Sequence, residues 1–241
     1  MPVPVSGPPP SDVAKGRVKV RAVRARGERF DPRFFEADPR FWPVARAASC
    51  FVNHTTWPRP EEYSDAFAGR PHPVRFVSDP PNQRRRGPVD FAKTYDGRIE
   101  KGEVPTRPGM WHDFLNALVW ATFPRAKAAL HRRQHLLFRG WAEPGAARLP
   151  NARTREQDAL ALVDEGGIVV LDGSNGSRTV TFGHALFEGL VHGTPAMIAR
   201  AVPLSIPRLP AAETLLEVVD GLLAARLAEP MLPEELPRAR F

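Results

Sequence analysis

Residues 111–123 read WHDFLNALVWATF, and the fold turns on this stretch. Wound as a helix at about 100° per residue, it puts Phe114, Leu115, Leu118 and Val119 on one broad face. His112, Asp113, Asn116 and Trp120 then fall within about 100° of one another on the opposite side. A helix this apolar, with Trp120 even on its polar side, is expected to be buried nearly all round. An unpaired buried polar group costs on the order of 1–3 kcal/mol. His112, Asp113 and Asn116 therefore need partners: they either line a pocket or form an interior hydrogen-bond network, and spacing alone leaves both open. Pro108-Gly109 precede the helix, and Pro124 should kink or break it before residues 125–137 resume.

Downstream, residues 139–152 read as a loop. Residues 159–163 and 168–171 flank Asp164-Glu165-Gly166-Gly167, the pattern of a β-hairpin with a glycine-bearing turn. Residues 172–177 suit another turn, 179–182 a short extended piece, and 183–191 a helix closed by Gly193 and Pro195. Leu215, Leu216, Val219, Leu222, Leu223 and Leu227 mark an amphipathic helix over 211–228. Upstream, FDPRFFEADPRFWPV alternates Asp-Pro pairs with aromatics, so Phe34, Phe35, Phe41 and Trp42 are expected to anchor the core. A short helix fits 57–67, a short strand 73–77, and a surface loop 82–87, where Arg84, Arg85 and Arg86 stand together. The sum predicts an α+β protein: a mostly helical single domain over 30–241 with a small antiparallel sheet or hairpin. Before it, residues 1–29 read as a disordered, proline-rich and basic arm.

The 241 residues are 42% hydrophobic and 25% charged, ordinary for a folded protein. No apolar run nears the roughly 20 residues of a membrane span. The first residues, MPVPVSGPPP, lack the basic start and apolar core of a secretory signal. Cys50 is the single cysteine, which excludes an intrachain disulfide or a thiolate cluster and points to a reducing cytoplasm. The formal charge is +7. Residues 1–29 account for +5 of it, leaving +2 for the domain, so the basicity belongs mostly to the arm. The 29 arginines against 5 lysines, with abundant Ala and Pro, fit the coding bias of a GC-rich genome.

Two further groups carry chemistry. His184, Glu188 and His192 follow one another at i, i+4 steps, which stacks them on one helix face. A His and a carboxylate one turn apart can chelate a divalent ion, or simply pair. His192, before Gly193, also suits the negative end of the helix dipole. Around the expected hairpin stand Arg153, Arg155, Asp158, Asp164 and Glu165; acidic residues in a turn need no function unless the fold brings them near His112 or His184. Phosphate loops, G-x-S-x-G, H-E-x-x-H and the dinucleotide fingerprint are all absent, and Ser174, Ser177 and Cys50 have no local nucleophile signature.

PTRPGMWHDFLNALVWATFPRAK (105–127), RTREQDALALVDEGG (153–167) and FGHALFEGL (182–190) together resemble the bacterial group filed as domain of unknown function 3025. The likeness runs from about residue 30 to about 233. It implies no activity, but directs attention to Trp111, His112, Asp113, Asn116, Asp158, Asp164, Glu165, His184 and Glu188. The leading expectation is a metal-assisted hydrolase of a phosphoester or amide. One divalent ion would sit on His112, His184 and Glu188, with catalytic groups drawn from His112, Asp113, Asn116, Asp158, Asp164 and Glu165. Such a site requires the side chains of His112 and His184 to meet. The alternative is a non-catalytic protein that contacts nucleic acid or another acidic partner through its arm and Arg84, Arg85 and Arg86, its polar blocks serving as scaffold.

Overall fold

A computed structural model describes residues 29–67, 69, 72–79, 90–141 and 153–241. The basic arm, apart from Arg29, and Arg84, Arg85 and Arg86 lie outside the described residues. In chain order the helices are α1 (Ala45–Ala48), α2 (Tyr95–Ile99), α3 (Trp111–Thr122), α4 (Pro124–Trp141), α5 (Arg155–Gly166), α6 (His184–Val191) and α7 (Ala212–Ala228). The strands are β1 (Arg75–Ser78), β2 (Glu103–Thr106), β3 (Gly167–Gly173), β4 (Gly176–Thr181), β5 (Ile198–Ser205) and β6 (Arg238–Arg240). The expected class holds: a mixed α+β domain, mostly helical, with two small sheets. Among the described residues, no helix is long and apolar enough to cross a membrane.

α3 is the central element. Its Phe114, Leu115, Leu118, Val119 and Trp120 have no exposed surface, and it packs against α6, α1 and a 3-10 helix at Pro60–Phe67. Phe114 stands in an aromatic cluster with the rings of Phe30, Phe51 and Tyr63, at 5.2–5.4 Å. The helix stops at Thr122 because Pro124 brings no N–H and crowds the turn before it; Phe123 leaves helical geometry at φ −127° and ψ 59°. α4 restarts at once. Asp220 of α7 accepts hydrogen bonds from the backbone N–H of Arg125 (3.3 Å) and Ala126 (2.8 Å), so a distant carboxylate satisfies donors that a helix start leaves open.

The expected hairpin is displaced by one element. Residues 159–163 are helical, inside α5, which Thr154 and Gln157 start with a reciprocal capping box. The strand begins at Gly167, and the hairpin joins β3 to β4, with Gly173 opposite Gly176 across the Ser174-Asn175 turn. Asp164 and Glu165 thus close a helix rather than sit in a hairpin turn. In the larger sheet the order is β4-β3-β5-β6, and β3 pairs with β5 in parallel; β1 and β2 form a parallel pair of their own. Phe34 and Phe41 are buried as expected, but Trp42 is 44% exposed. Successive residues of a 3-10 turn point about 120° apart, so turning Phe41 inward from Pro39–Phe41 turns Trp42 out.

Candidate metal centre

Three helix ends meet: the start of α3, the end of α5 and the start of α6. Their approach is made by backbone. The N–H groups of Phe182 and Gly183 both donate to the carbonyl of Gly167, at 3.0 and 2.8 Å. A Cβ on Gly183 would lie only 2.5 Å from the carbonyl oxygen of Glu165 and 2.5–2.6 Å from the amide nitrogens of Gly167 and Gly166. Only a residue without a side chain lets these backbones touch, and the touch sets His184 beside Asp164 and Glu165.

The side chains then converge. Nε2 of His112 lies 3.1 Å from Nε2 of His184, and Oε2 of Glu165 lies 3.4 Å from the same His184 atom. One ligand atom from each of His112, Glu165 and His184 falls within 4.8 Å of the other two. Zn–N bonds of about 2.0–2.1 Å at tetrahedral angles place two ligand atoms about 3.3 Å apart, so the spacing matches the edges of a small coordination shell. The far sides of the two rings differ. Nδ1 of His112 is 2.9 Å from Oε2 of Glu188; Nδ1 of His184 is buried with no hydrogen-bond partner among the described residues, and lies 3.9 Å from the Asp164 carboxylate. At His112, an Nδ1–H held from behind leaves Nε2 with its lone pair forward, as metal-bound histidines require.

Charge sharpens the picture. Asp164, Glu165 and Glu188 bring three negative charges against the one positive charge of Lys127, which leaves −2 with neutral imidazoles. Two of those carboxylates end α5, where the helix dipole disfavours anions by roughly 0.3–1 kcal/mol each. Burial raises the pKa of Asp164, but Lys127, His184 and His131 outweigh it and hold the group well below the usual carboxylate range. Glu165 is pushed up by burial and by the charges of Asp164 and Glu188, against the pull of His112 and Lys127. His184 is driven down to about 3 by burial, with Lys127 and His112 adding to the effect against Asp164. Burial opposes protonation of His112 too; there the Glu188 hydrogen bond and the charge of Glu165 win, and the net shift is upward.

The other expected residues have different places. Asp113 is clamped by Arg107, through its backbone N–H (2.6 Å), Nε (2.9 Å) and a terminal guanidinium nitrogen (2.7 Å); it fastens the turn before α3. Asn116 is buried and donates to the Tyr95 hydroxyl at 3.2 Å, while its Oδ1 has no hydrogen-bond partner among the described residues. Asp158 is exposed, about 10 Å upstream of Glu165 along α5 at 1.5 Å per residue. Glu188, expected as a ligand, sits behind His112 instead, and Glu165 is the carboxylate that stands beside the facing Nε2 atoms. His192 lies 3.9 Å from Glu188, away from the facing Nε2 atoms.

Lys127 escaped notice. It has no exposed surface and pairs with Asp164. Its signal was present: at i+4 from Phe123 and i−3 from Leu130, it stands in the apolar stripe of α4, where a lysine needs a counter-charge. Next to it, His131 is buried, stacks on Trp120 with centroids 5.5 Å apart and hydrogen-bonds Asp96 at 2.9 Å.

Residues 74–177 match the model of a family described as a protein of unknown function (DUF3025). The resemblance read from the sequence stands over this stretch, which holds the helix of His112 and the segment of Asp164 and Glu165; His184 and Glu188 follow it. No curated protein and no solved structure matches the chain.

Proposed function

We propose that the segment matching this family joins α6 in a divalent-metal site, and that the protein is a metal-assisted hydrolase acting in a bacterial cytoplasm. The observation that carries the reading is the convergence of the His112 and His184 Nε2 atoms on the Glu165 carboxylate, with Nδ1 of His112 held from behind by Glu188. Two nitrogens and one carboxylate are a donor set for zinc or another first-row ion, with a further position left for water. A bound ion of this kind lowers the pKa of its water to about 7 and polarises the bond to be cleaved, an amide or a phosphoester. His112 and His184 act as neutral ligands. Glu165 is the third ligand, the more adjustable for being half-exposed. Glu188 fixes the tautomer of His112, and Lys127 restrains Asp164 behind His184. The exposed Cys50 suits a reducing compartment and has no part in this chemistry.

The test is elemental analysis of untagged protein beside the variants His112→Ala, His184→Ala and Glu188→Gln. About one ion per chain is expected, absent from both folded histidine variants, with affinity reduced about 10–100-fold in Glu188→Gln, as when a residue behind a ligand is changed. Hydrolysis of amide or phosphoester substrates should then stop with chelator and return with the ion. Folded wild-type protein that takes up no zinc, manganese or iron at micromolar concentration would overturn the reading.

A further inference from the structure

Glu165 faces two ways. Besides its place among the histidines, it lines a cleft of about 540 Å³ between α5, α6 and the edge of the larger sheet. That volume suits a small organic molecule. Leu186, Met197 and Ile198 give the cleft an apolar wall, and Arg200 and Arg238 give it positive charge. These two arginines are direct cross-strand partners on β5 and β6, so their side chains rise from the same face of the sheet. Like charges set opposite each other in this way repel. Neither arginine forms an ion pair among the described residues; Arg200 only donates to the carbonyl of Leu236, at 3.3 Å. Among the described residues, the one carboxylate lining the cleft is Glu165, which also belongs to the histidine cluster.

We infer that this cleft is the substrate subsite. Arg200 and Arg238 receive a terminal anionic group, a carboxylate or a phosphate, and the apolar wall carries an aliphatic segment that leads to the bond at Glu165, His112 and His184. Guanidinium groups pair with both anions through parallel N–H donors, and an anion between them would relieve the repulsion of the two strands' charges. The inference rests on the metal-hydrolase reading for its chemistry. In an amide substrate, the oxygen of water bonds to the carbonyl carbon, the C–N bond breaks, and a water proton leaves with the amine. The binding half stands apart from that reaction and can be tested without it.

Hexanoate, acetate and inorganic phosphate serve as probes, titrated by calorimetry into the full chain and into the variants Arg238→Gln, Arg200→Gln/Arg238→Gln and His112→Ala, with metal content measured on each. Hexanoate should bind more tightly than acetate and lose about tenfold or more in the double arginine variant, the scale of lost charge-assisted hydrogen bonds. Metal content should stay unchanged there, and His112→Ala should keep the hexanoate site. Hexanoate tighter than phosphate identifies a carboxylate terminus; phosphate tighter than hexanoate identifies a phosphorylated one. Equal binding of every probe by wild type and the double arginine variant, with the fold intact by circular dichroism, would overturn the subsite and leave the metal reading standing. Arginine-dependent binding to a protein that takes up no metal would overturn the metal reading and leave the subsite.

Discussion

Lys127 has no exposed surface, and it lies beside Asp164 with the Trp120 ring 5.7 Å away. Desolvating two ions offsets most of their attraction, so such a pair adds little net stability; removing one member is costly because the other is stranded. Lys127→Met alone should therefore cost roughly 3–5 kcal/mol, read as a lowered urea midpoint at unchanged slope. Lys127→Met combined with Asp164→Leu should recover much of that loss, since no charge stays behind. A double variant as unstable as the sum of the single ones would show that the two residues do not act as a pair. If the proposed site binds a divalent ion, the recovered protein should bind it less tightly, because the Asp164 carboxylate lies 3.9 Å from Nδ1 of the buried His184.

Between elements, the deciding contact is backbone on backbone. The start of α6 reaches the end of α5 only through Gly183, where an added Cβ would meet three backbone atoms at 2.5–2.6 Å. Its φ of −64° is open to any residue, so the constraint is space and not torsion. Gly183→Ala should push α6 away from Glu165, cost about 1–3 kcal/mol as overpacking does, and lower metal affinity more than a distant substitution of equal thermal effect. Calorimetric metal titration beside thermal melts separates the two; unchanged affinity would mean that the helices shift together. This geometry also explains how much was legible in the sequence. Periodicity of 3.6 marked α3, α6 and α7, whereas Asp164-Glu165-Gly166-Gly167, read as a hairpin turn, is the junction where α5 passes into β3. Ala159–Val163 fits a strand or a helix when read alone; Thr154-x-x-Gln157, five residues upstream, decides it. His112 and His184 were legible as polar residues in apolar helices. The choice of Glu165 over Glu188 was not, because it depends on which ring nitrogen of His112 each carboxylate faces, and that is settled by the packing of three helix ends far apart in sequence.

Across the whole molecule, the charge balance isolates the centre. The chain carries +7, and residues 30–241 still carry +2; the site, with neutral imidazoles, carries −2. A basic protein that gathers three carboxylates around two imidazoles, of which His184 is held neutral by burial, keeps them at an electrostatic cost, which a divalent ion would cancel. A ligand bound only by the native state stabilises it by RT ln(1 + [L]/Kd), about 2.7 kcal/mol at a hundredfold excess over Kd. For a chain of this size that is a rise of about 5–10 °C in Tm. The rise should be full at pH 7.5 and small at pH 5.5, because binding requires both imidazoles to be neutral and protons compete for the same lone pairs. His112→Ala should abolish it at both pH values, whereas Arg238→Gln, in the cleft but outside the cluster, should leave it intact. An equal rise in the His112→Ala variant would place the ion elsewhere on the protein, and the −2 centre would then be a proton-buffered scaffold, held together by His112 protonation against Glu188 rather than by a metal.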